Sequence, residues 1–347
     1  MKILGFQFIE NQKIKDLCGK IKKEEKKINF LNIPPALFEK IFKSNYLKQA
    51  YSSTKIEYSL ISYNNAQKIL NYKKALNEEE REILNVANSH LAIQQNLQKR
   101  LSDNFIINIH KQISYKLKGS LTEPNYRPGQ YRNIQNYLGD PFSNNISYTF
   151  PNPKEVPILM KKLNCFININ KKLNKLLLPG IFHFVFIAIH PFINGNGRTV
   201  RVIEDFLLKK AGYNLKNFYN LSQYYYDNLK QYHLTLNIGR DQKNLIYFIE
   251  FYLQGVLNSQ KNVFVEKDLL ERLYRLHEML EWKLFDSFDK KILNYLARNN
   301  ELTIKKAIKL NSRKLTAEAI RLRFQKYIEI GLMKKIGDFK NVKYIWI

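Results

Sequence analysis

The chain has 347 residues, of which 57 are Lys or Arg and 30 are Asp or Glu, so its formal net charge is +27. This length suffices for two or three domains with a sizeable core, and the many aromatic residues argue against disorder. Cys18 and Cys165 are too few for a disulfide framework or a zinc site. No apolar run reaches membrane-spanning length, and the first residues lack a signal-peptide core. We therefore expect a cytoplasmic protein with no membrane partner.

The strong positive charge suggests a nucleic-acid partner. Lysine is abundant throughout the chain together with Asn and Ile, however, and a compositional bias of the genome explains that equally well. The charge run Lys20–Lys27 is predicted to be a solvated face or arm. Pro34 and Pro35 then precede a predicted helix over Ala36–Ala50.

The next elements follow from periodicity and capping signals. Leu76–Leu101 has a helical pattern, and Ser102 is a helix-start residue for the segment after it. That segment carries an apolar stripe that includes His110, so we interpret this histidine as a packed core residue. Gly119–Pro153 is the largest irregular region.

Two further helices are predicted before the most informative stretch. Val156–Leu177 is the first, Pro179 and Gly180 interrupt the chain, and Ile181–His190 is the second. The second helix is apolar nearly all round, so it should be central and buried, with His183 in the core.

The sequence from His190 to Arg201, HPFINGNGRTVR, combines several chemical features. A residue before proline is pushed out of the α region, so the helix should end with the His190 imidazole at its mouth. Gly195 and Gly197 flank Asn196 where a second helix begins, and backbone N–H groups at such a turn form an anion cradle.

Arg198 and Arg201 share one face of that second helix, and two guanidiniums beside an anion cradle suit a polyphosphate. A neutral imidazole can accept a proton at cellular pH. The stretch therefore predicts a base beside a bound phosphate chain. The alternative is structural: a plain Gly-Asn-Gly turn, a packing His190, and an Arg201 that pairs with Asp205.

Gly212 is a plausible stop for the helix after this motif. Ser222 is predicted to cap the next helix, an aromatic-rich helix follows over Leu245–Val256, and Asn258–Leu284 is predicted to be a charged connector helix.

The C-terminal sixty residues have the pattern of a separate domain. They hold 15 Lys and Arg against 5 Asp and Glu. Three helices and two strands are predicted: Phe288–Ala297, Thr303–Leu310, Thr316–Ile330, Met333–Ile336 and Val342–Ile347.

This order resembles a winged helix-turn-helix, whose third helix enters the major groove in DNA-binding relatives. Basic residues lie on or before that helix here: Arg313, Lys314, Arg321, Arg323 and Lys326. A winged helix that contacts protein alone is the open alternative.

The motif from His190 to Arg201 resembles that of the Fic (Fido) family, H-P-F-x-[D/E]-G-N-G-R-x-x-R. Every fixed position matches except Asn194, which stands where family enzymes carry a Mg²⁺-binding acid. The resemblance implies a mainly α fold with a Fic helical core and a β-hairpin called the flap. Pro128–Arg132 resembles the start of the flap and Tyr148–Pro151 its end. In the family the flap pairs with the target's main chain.

A second resemblance lies earlier in the chain. Ser53 and Glu57 match the spacing of the inhibitory motif of Fic proteins, [S/T]-x-x-x-E-[G/N], while Tyr58 replaces the usual small residue. The resemblance implies that Glu57 reaches Arg201 and takes the place of the terminal phosphate, because a carboxylate competes with phosphate for one guanidinium. The alternative is an exposed helix glutamate near Lys55.

The resemblance implies a protein adenylyltransferase that transfers AMP from ATP to a Ser, Thr or Tyr hydroxyl of a target protein and is inhibited by Glu57. His190 would be the general base, and Asn196 would orient the α-phosphate. The phosphate site would comprise Gly195, Asn196, Gly197, Arg198, Thr199, Val200 and Arg201.

Asn228 and Tyr232 would flank the nucleobase, where a tyrosine packed in the core is the alternative. Mg²⁺ or Mn²⁺ is expected, with Asn194 as a weakened ligand.

The expected division is an N-terminal helical region over 1–100, a Fic domain over 101–255, a connector over 256–287 and a winged helix over 288–347. The other functions considered are a DNA-bound regulator with an attenuated Fic core, and a Fic enzyme that removes AMP or uses another nucleotide. A homodimer is a further expectation from the family.

Overall fold

The computed structural model describes residues 2–118, 127–140, 145–311, 315–338 and 341–347. Helices predominate, which confirms the mainly α prediction. The chain separates into two compact units, Met1–Asn32 with Phe42–Val263 and Ile33–Ile41 with Phe264–Ile347. Within the described ranges, no helix has both the length and the apolar character needed to cross a bilayer.

The first unit is built around a helical core. In chain order its elements are β1 (Lys2–Ile3), β2 (Phe6–Gln7), α1 (Gln12–Asn29), most of α2 (Pro35–Ile56), α3 (Tyr63–Tyr72), α4 (Glu78–Gln94), α5 (Asp103–Ile113), β3 (Tyr137–Asp140), β4 (Asn145–Thr149), α6 (Val156–Ile169), α7 (Leu177–Ile189), α8 (Asn196–Lys210), α9 (Leu221–Asp227), α10 (Leu229–Asp241) and the first part of α11 (Ile246–Glu278). Helix α7 packs against α6 and α8, and α8 also contacts α4 and α5.

Helix α7 is buried along nearly its whole length, as its apolar sequence predicts. It begins earlier than predicted, however, at Leu177, and runs through Pro179 and Gly180. Proline is tolerated in the first turn because those N–H groups have no partner within the helix. The chain breaks instead after α6, where the Asn170 side chain accepts hydrogen bonds from the N–H groups of Lys172 and Leu173.

The predicted hairpin is present between α5 and α6. Strands β3 and β4 pair in antiparallel register, from Tyr137 opposite Thr149 to Asp140 opposite Asn145, with an irregularity between Leu138 and Gly139. The tip that the sequence assigned to the flap includes 141–144, which lie outside the described residues.

Several other predicted helix boundaries are wrong. Helix α2 continues past Ala50 to Ile56, and α9 is capped by Asn220, whose side chain accepts from the N–H of Gln223 at 2.9 Å, so Ser222 is an interior residue. The two helices predicted on either side of residue 257 form the single helix α11. Its Gly255 lies against the Tyr224 ring, which a Cβ would approach to 2.7 Å.

The second unit contains the end of α11 and a small α/β arrangement. Its elements are α12 (Ser287–Asn299), β5 (Glu301–Leu302), α13 (Ile304–Leu310), α14 (Ala317–Glu329), β6 (Met333–Ile336) and β7 (Lys343–Trp346). The strands form one antiparallel sheet in the order β5-β7-β6. The core includes Leu293, Leu296, Ile320, Phe324 and Tyr344. The predicted helices and hairpin are thus present, and β5 is an additional strand.

Candidate active site

Helix α7 ends at Ile189, so that His190, the residue before Pro191, lies outside the helix as the proline rule predicts. His190 is the first residue after the helix and adopts a left-handed backbone conformation, with φ 52° and ψ 62°. A non-glycine residue held there costs about 1–2 kcal/mol, so the surrounding contacts must enforce this geometry. The result is an imidazole at the mouth of a buried helix.

Contacts from the flap hold His190 in place. The Phe150 ring stacks on the imidazole with 4.3 Å between ring centroids. The buried Arg132 donates from Nε to the His190 carbonyl oxygen at 2.8 Å and from Nη1 to the Ile134 carbonyl oxygen at 3.0 Å. Its own N–H donates to the Pro191 carbonyl oxygen at 2.8 Å. Arg132 therefore ties the start of the flap to the motif turn.

The environment favours a neutral imidazole. Burial lowers the pKa of His190 to about 4, and the Ile187 carbonyl and the Glu57 carboxylate oppose this only in part. The buried Nδ1 atom is enclosed by protein, which leaves Nε2 as the ring nitrogen able to accept a proton. His190 is therefore equipped to act as a base at neutral pH.

A second histidine supports the loop between α7 and α8. The ring of the buried His110 stacks on Phe192 at 3.6 Å between centroids, and its Nδ1 accepts a hydrogen bond from the Gly129 N–H at 3.0 Å. Nε2 must then carry the proton, and it lies 3.0 Å from the carbonyl oxygen of Asn194. This agrees with the prediction of a packed core histidine, which here also fixes the motif loop.

The turn itself has the predicted shape. Gly195 has φ 73°, a conformation that favours glycine, and α8 begins at Asn196. The Asn196 side chain accepts from the Phe192 N–H at 2.9 Å and donates to the Phe192 carbonyl oxygen at 2.8 Å. Both polar ends of this amide are thus used within the loop. Each end has a second hydrogen-bonding site, so a contact of Asn196 with the α-phosphate stays a prediction.

Arg201 is held by the predicted inhibitory segment. Its Nη2 lies 2.7 Å from Oε1 of Glu57 and donates to the Ser53 carbonyl oxygen at 2.8 Å, while its Nε donates to the Ser53 hydroxyl at 2.9 Å. The structural alternative in which Arg201 pairs with Asp205 is wrong, since Asp205 contacts His90 and Lys209 instead.

The Glu57 carboxylate lies on the first turn of α8. A Cβ on Gly197 would be 2.2 Å from Oε1 of Glu57, so glycine is what allows this approach. Partial burial alone would raise the pKa of Glu57, but the guanidiniums of Arg201 and Arg198 hold it below its usual value. The carboxylate is therefore ionised at neutral pH and lies beside Gly197, where the sequence predicts the anion cradle.

Arg198 contacts a residue that the sequence did not single out. Its Nη1 lies 2.7 Å from Oε1 of Glu82 on α4, and the Arg198 side chain is almost fully buried. Glu82 belongs to the acidic start of α4, EEERE, which resembles an ordinary helix N-terminus. No local pattern separates Glu82 from its acidic neighbours.

The remaining residues predicted to bind the phosphates or the nucleobase have other surroundings than Arg198 and Arg201. Thr199 and Val200 are fully buried on α8, and their assignment to the phosphate site stays a prediction. Tyr232 is also buried, with its hydroxyl 2.9 Å from Nε2 of His183 and its ring stacked on Tyr225. It packs in the core next to Arg201, and its role toward a nucleobase stays a prediction. Asn228 is exposed and donates to the Tyr224 carbonyl oxygen.

The donor set for a divalent cation is sparse. Among the residues that the structure describes, no group of three or more His, Cys, Asp or Glu side chains is placed to hold a metal ion. Asn194 is mostly buried and contributes an uncharged amide where an acid would be the stronger ligand. These residues fit Mg²⁺ poorly, so no step below depends on a metal.

Comparisons with known proteins point to one family. Residues 100–208 match the family model described as Fic/DOC family. The chain is 26% identical over 179 residues to Protein adenylyltransferase Fic of Drosophila willistoni and 26% identical over 181 residues to that of Drosophila grimshawi. Each match covers 49% of this chain and about a third of the relative, 33% and 34% respectively.

Solved structures of Fic proteins share the fold. A Fic family protein from Desulfovibrio desulfuricans G20 superposes with a TM-score of 0.60 and 17% identity, covering 97% of this chain and 96% of its own. A Fic domain containing signaling protein from Bacteroides thetaiotaomicron VPI-5482 has a TM-score of 0.58 and 18% identity, covering 74% of this chain and 98% of its own. At these identities the likeness concerns the fold.

Proposed function

We propose that the chain is a protein adenylyltransferase of the Fic/DOC family, whose model residues 100–208 match, and that it is held inactive by Glu57. The proposed reaction transfers AMP from ATP to a Ser, Thr or Tyr hydroxyl of a target protein. The observation that carries the proposal is the pairing of Glu57 with Arg201 over the first turn of α8, beside the neutral His190. Because a carboxylate binds here, the first turn of α8 can accommodate an anion.

In the proposed reaction, the target hydroxyl oxygen attacks the α-phosphorus of ATP while its proton passes to Nε2 of His190. The bond between the α-phosphorus and the bridging oxygen to the β-phosphate breaks, and pyrophosphate leaves. The backbone N–H groups at the start of α8 stabilise charge that develops on the α-phosphate. Arg198 and Arg201 hold the remaining phosphates once their carboxylate partners leave.

Positioning and charge neutralisation would provide most of the rate acceleration, as in phosphoryl transfer generally. Contacts of His110, Phe192 and Asn196 fix the loop between α7 and α8. The flap is fixed to the same turn by Arg132. The phosphate-binding loop between α7 and α8 is therefore formed before ATP binds, and the Glu57 side chain blocks it.

The test is intact-mass analysis after incubation with ATP and Mg²⁺ or Mn²⁺. Glu57→Gly should gain the mass of one or more AMP groups, while the unaltered chain gains little. Glu57→Gly combined with His190→Ala should gain none. Tyr58→Gly is the matched control, because it introduces a glycine beside residue 57 and leaves the carboxylate in place. AMP on the double variant would contradict the assignment of His190 as the base.

Two variants of this chemistry use the same site. In one, Glu57 aligns a water that removes AMP from a modified target. In the other, another nucleoside triphosphate replaces ATP, because the motif residues contact phosphates and do not specify the base. Parallel incubations with CTP, GTP and UTP, and with an AMP-modified target, separate these variants. Asn194→Asp tests whether the missing acid attenuates the enzyme: a large gain in rate with Mg²⁺ is expected if it does.

A second candidate function is DNA binding by the C-terminal unit. Arg321 and Lys326 on α14 are exposed, as are Lys334 and Lys335 on β6, and exposed basic side chains are what a phosphate backbone requires. Arg323 differs, because it is paired with Asp286 and Asp289. Arg313 and Lys314, also assigned to this surface from the sequence, lie outside the described residues.

A further inference from the structure

Both arginines of the motif helix are paired with carboxylates that come from two different helices. Glu57 follows α2 and contacts Arg201, while Glu82 lies on α4 and contacts Arg198, each with a nitrogen–oxygen distance of 2.7 Å. The Arg201 side chain is 1% exposed and that of Arg198 is 6% exposed. Neither guanidinium is therefore open to solvent or to a phosphate in this state.

The charges of this cluster cancel. Arg198 and Arg201 contribute two positive charges, and Glu57 and Glu82 contribute two negative charges at neutral pH. A triphosphate is a strongly anionic ligand and gains most from uncompensated guanidiniums in a partly buried site. If Glu57 alone leaves, one carboxylate still neutralises Arg198, and the site recovers half of its positive charge.

We propose that Glu82 is a second inhibitory carboxylate, which holds Arg198 as Glu57 holds Arg201. The inference rests on the proposed function only in requiring that this cradle binds a phosphate chain. Full access for a triphosphate then needs two separate changes, withdrawal of Glu57 at the end of α2 and withdrawal of Glu82 on α4. A variant that lacks Glu57 is accordingly only partly activated.

A purely structural role for Glu82 makes the opposite prediction. A buried arginine without a partner is destabilising, so Glu82 could serve only to compensate Arg198. In that case, loss of the carboxylate lowers the free energy of unfolding and leaves phosphate affinity unchanged or weaker. The two roles are therefore separated by the affinity for a phosphate ligand.

The experiment measures binding of inorganic tripolyphosphate by calorimetry at low ionic strength. Four proteins are compared: the unaltered chain, Glu57→Gly, Glu82→Gln and the double variant. Glu79→Gln, combined with Glu57→Gly, is the matched control, because Glu79 lies in the same acidic start of α4 with an exposed side chain.

The double variant should bind tripolyphosphate at least about tenfold more tightly than Glu57→Gly, since one partly buried opposing charge is removed. Glu82→Gln alone should change affinity little, because Glu57 still occupies the cradle. The control should match Glu57→Gly. Equal or weaker binding by the double variant would overturn the proposal.

Calorimetry with tripolyphosphate does not depend on AMP transfer. Tighter binding by the double variant without transfer would support the second carboxylate and contradict the proposed reaction. AMP transfer by Glu57→Gly, with no effect of Glu82→Gln on tripolyphosphate affinity, would support the proposed reaction and contradict the second carboxylate. If thermal melting shows that Glu82→Gln does not fold, Glu82→Asp in the Glu57→Gly background replaces it. Its shorter side chain withdraws from Arg198, so a smaller gain in affinity supports the proposal and no gain overturns it.

Discussion

Tyr58 has a left-handed backbone, with φ 64°, directly after Glu57. Its side chain is 76% exposed, so packing does not compensate for this conformation. The inhibitory motif of the family has Gly or Asn here, two residues that adopt positive φ readily. The positive φ at residue 58 thus explains why the family motif has Gly or Asn at this position, where this chain has Tyr58.

Tyr58→Gly should raise the free energy of unfolding by about 0.5–1 kcal/mol, because relief of the left-handed strain exceeds the entropy that glycine adds to the unfolded chain. Thermal or denaturant unfolding of the full chain measures this. Tyr58→Ala is the control, since alanine retains a Cβ and should give no gain. If Tyr58→Gly instead lowers the free energy of unfolding, the exposed Tyr58 side chain itself stabilises the folded chain.

The pKa of His190 predicts a distinct pH profile. Burial lowers that pKa to about 4, so the imidazole is already neutral above about pH 5, and removal of Glu57 lowers the pKa further. For Glu57→Gly, kcat/KM for AMP transfer should be flat between about pH 6 and 8 and should fall only in more acidic solution. An acidic limb centred near 6.5 would indicate a solvated imidazole and would contradict this environment.

At this scale the sequence predicted the residues whose identity is set by a local pattern. His190, Arg201 and Glu57 lie in motifs, and Glu57 contacts Arg201 as the motif spacing predicts. Glu82 lies in a plain acidic helix start, and its contact with Arg198 depends on how α4 packs against α8. Asn196 and Tyr232 also make hydrogen bonds within the protein that the sequence did not predict, to Phe192 and to His183.

Among the elements, α7 determines where the site lies, because it carries the loop with His190 at its buried end. Its Gly180 is required by close packing: a Cβ there would lie 2.6 Å from Cδ1 of Tyr252 on α11. The sequence treated Pro179 and Gly180 as a break between helices. The same two residues instead form the first turn of α7 and allow the approach of α11, which only tertiary packing reveals.

Gly180→Ala should lower the free energy of unfolding by about 1–3 kcal/mol, the usual cost of overpacking a core. Gly19→Ala in α1 is the matched control, because open space surrounds that glycine and alanine favours helix. The control should be neutral or stabilising by up to about 1 kcal/mol. Denaturant unfolding distinguishes them, and a neutral Gly180→Ala would show that the Tyr252 ring moves aside at little cost.

On the scale of the whole molecule, the positive charge is spread over both units, and charge alone does not identify a partner. The structure separates basic residues that pair internally from those that are exposed. Arg323 on α14 belongs to the first group, through Asp286 and Asp289, and Arg321 belongs to the second. The sequence could not make this distinction, since the carboxylates lie on the distant start of α12.

Arg321→Ala should weaken binding to duplex DNA, reduce the salt dependence by about one phosphate contact, and leave thermal melting unchanged. Arg323→Ala should instead lower the melting temperature, because it leaves two carboxylates without their shared partner. Mobility shifts at several salt concentrations and melting curves measure the two effects. No shift of the unaltered chain at low salt would exclude the DNA function and leave this unit as a protein-contact element.

Gly197 has a further consequence for how this chain can evolve. The volume beside its Cα is taken by the Glu57 carboxylate, and the proposed reaction gives the same volume to a phosphate. A side chain at residue 197 would expel the inhibitor and the substrate together, so mutation there cannot produce an unregulated enzyme. Under the proposed function, a lineage escapes the Glu57 contact by changing Ser53 or Glu57, while Gly197 is retained in active and inhibited descendants alike.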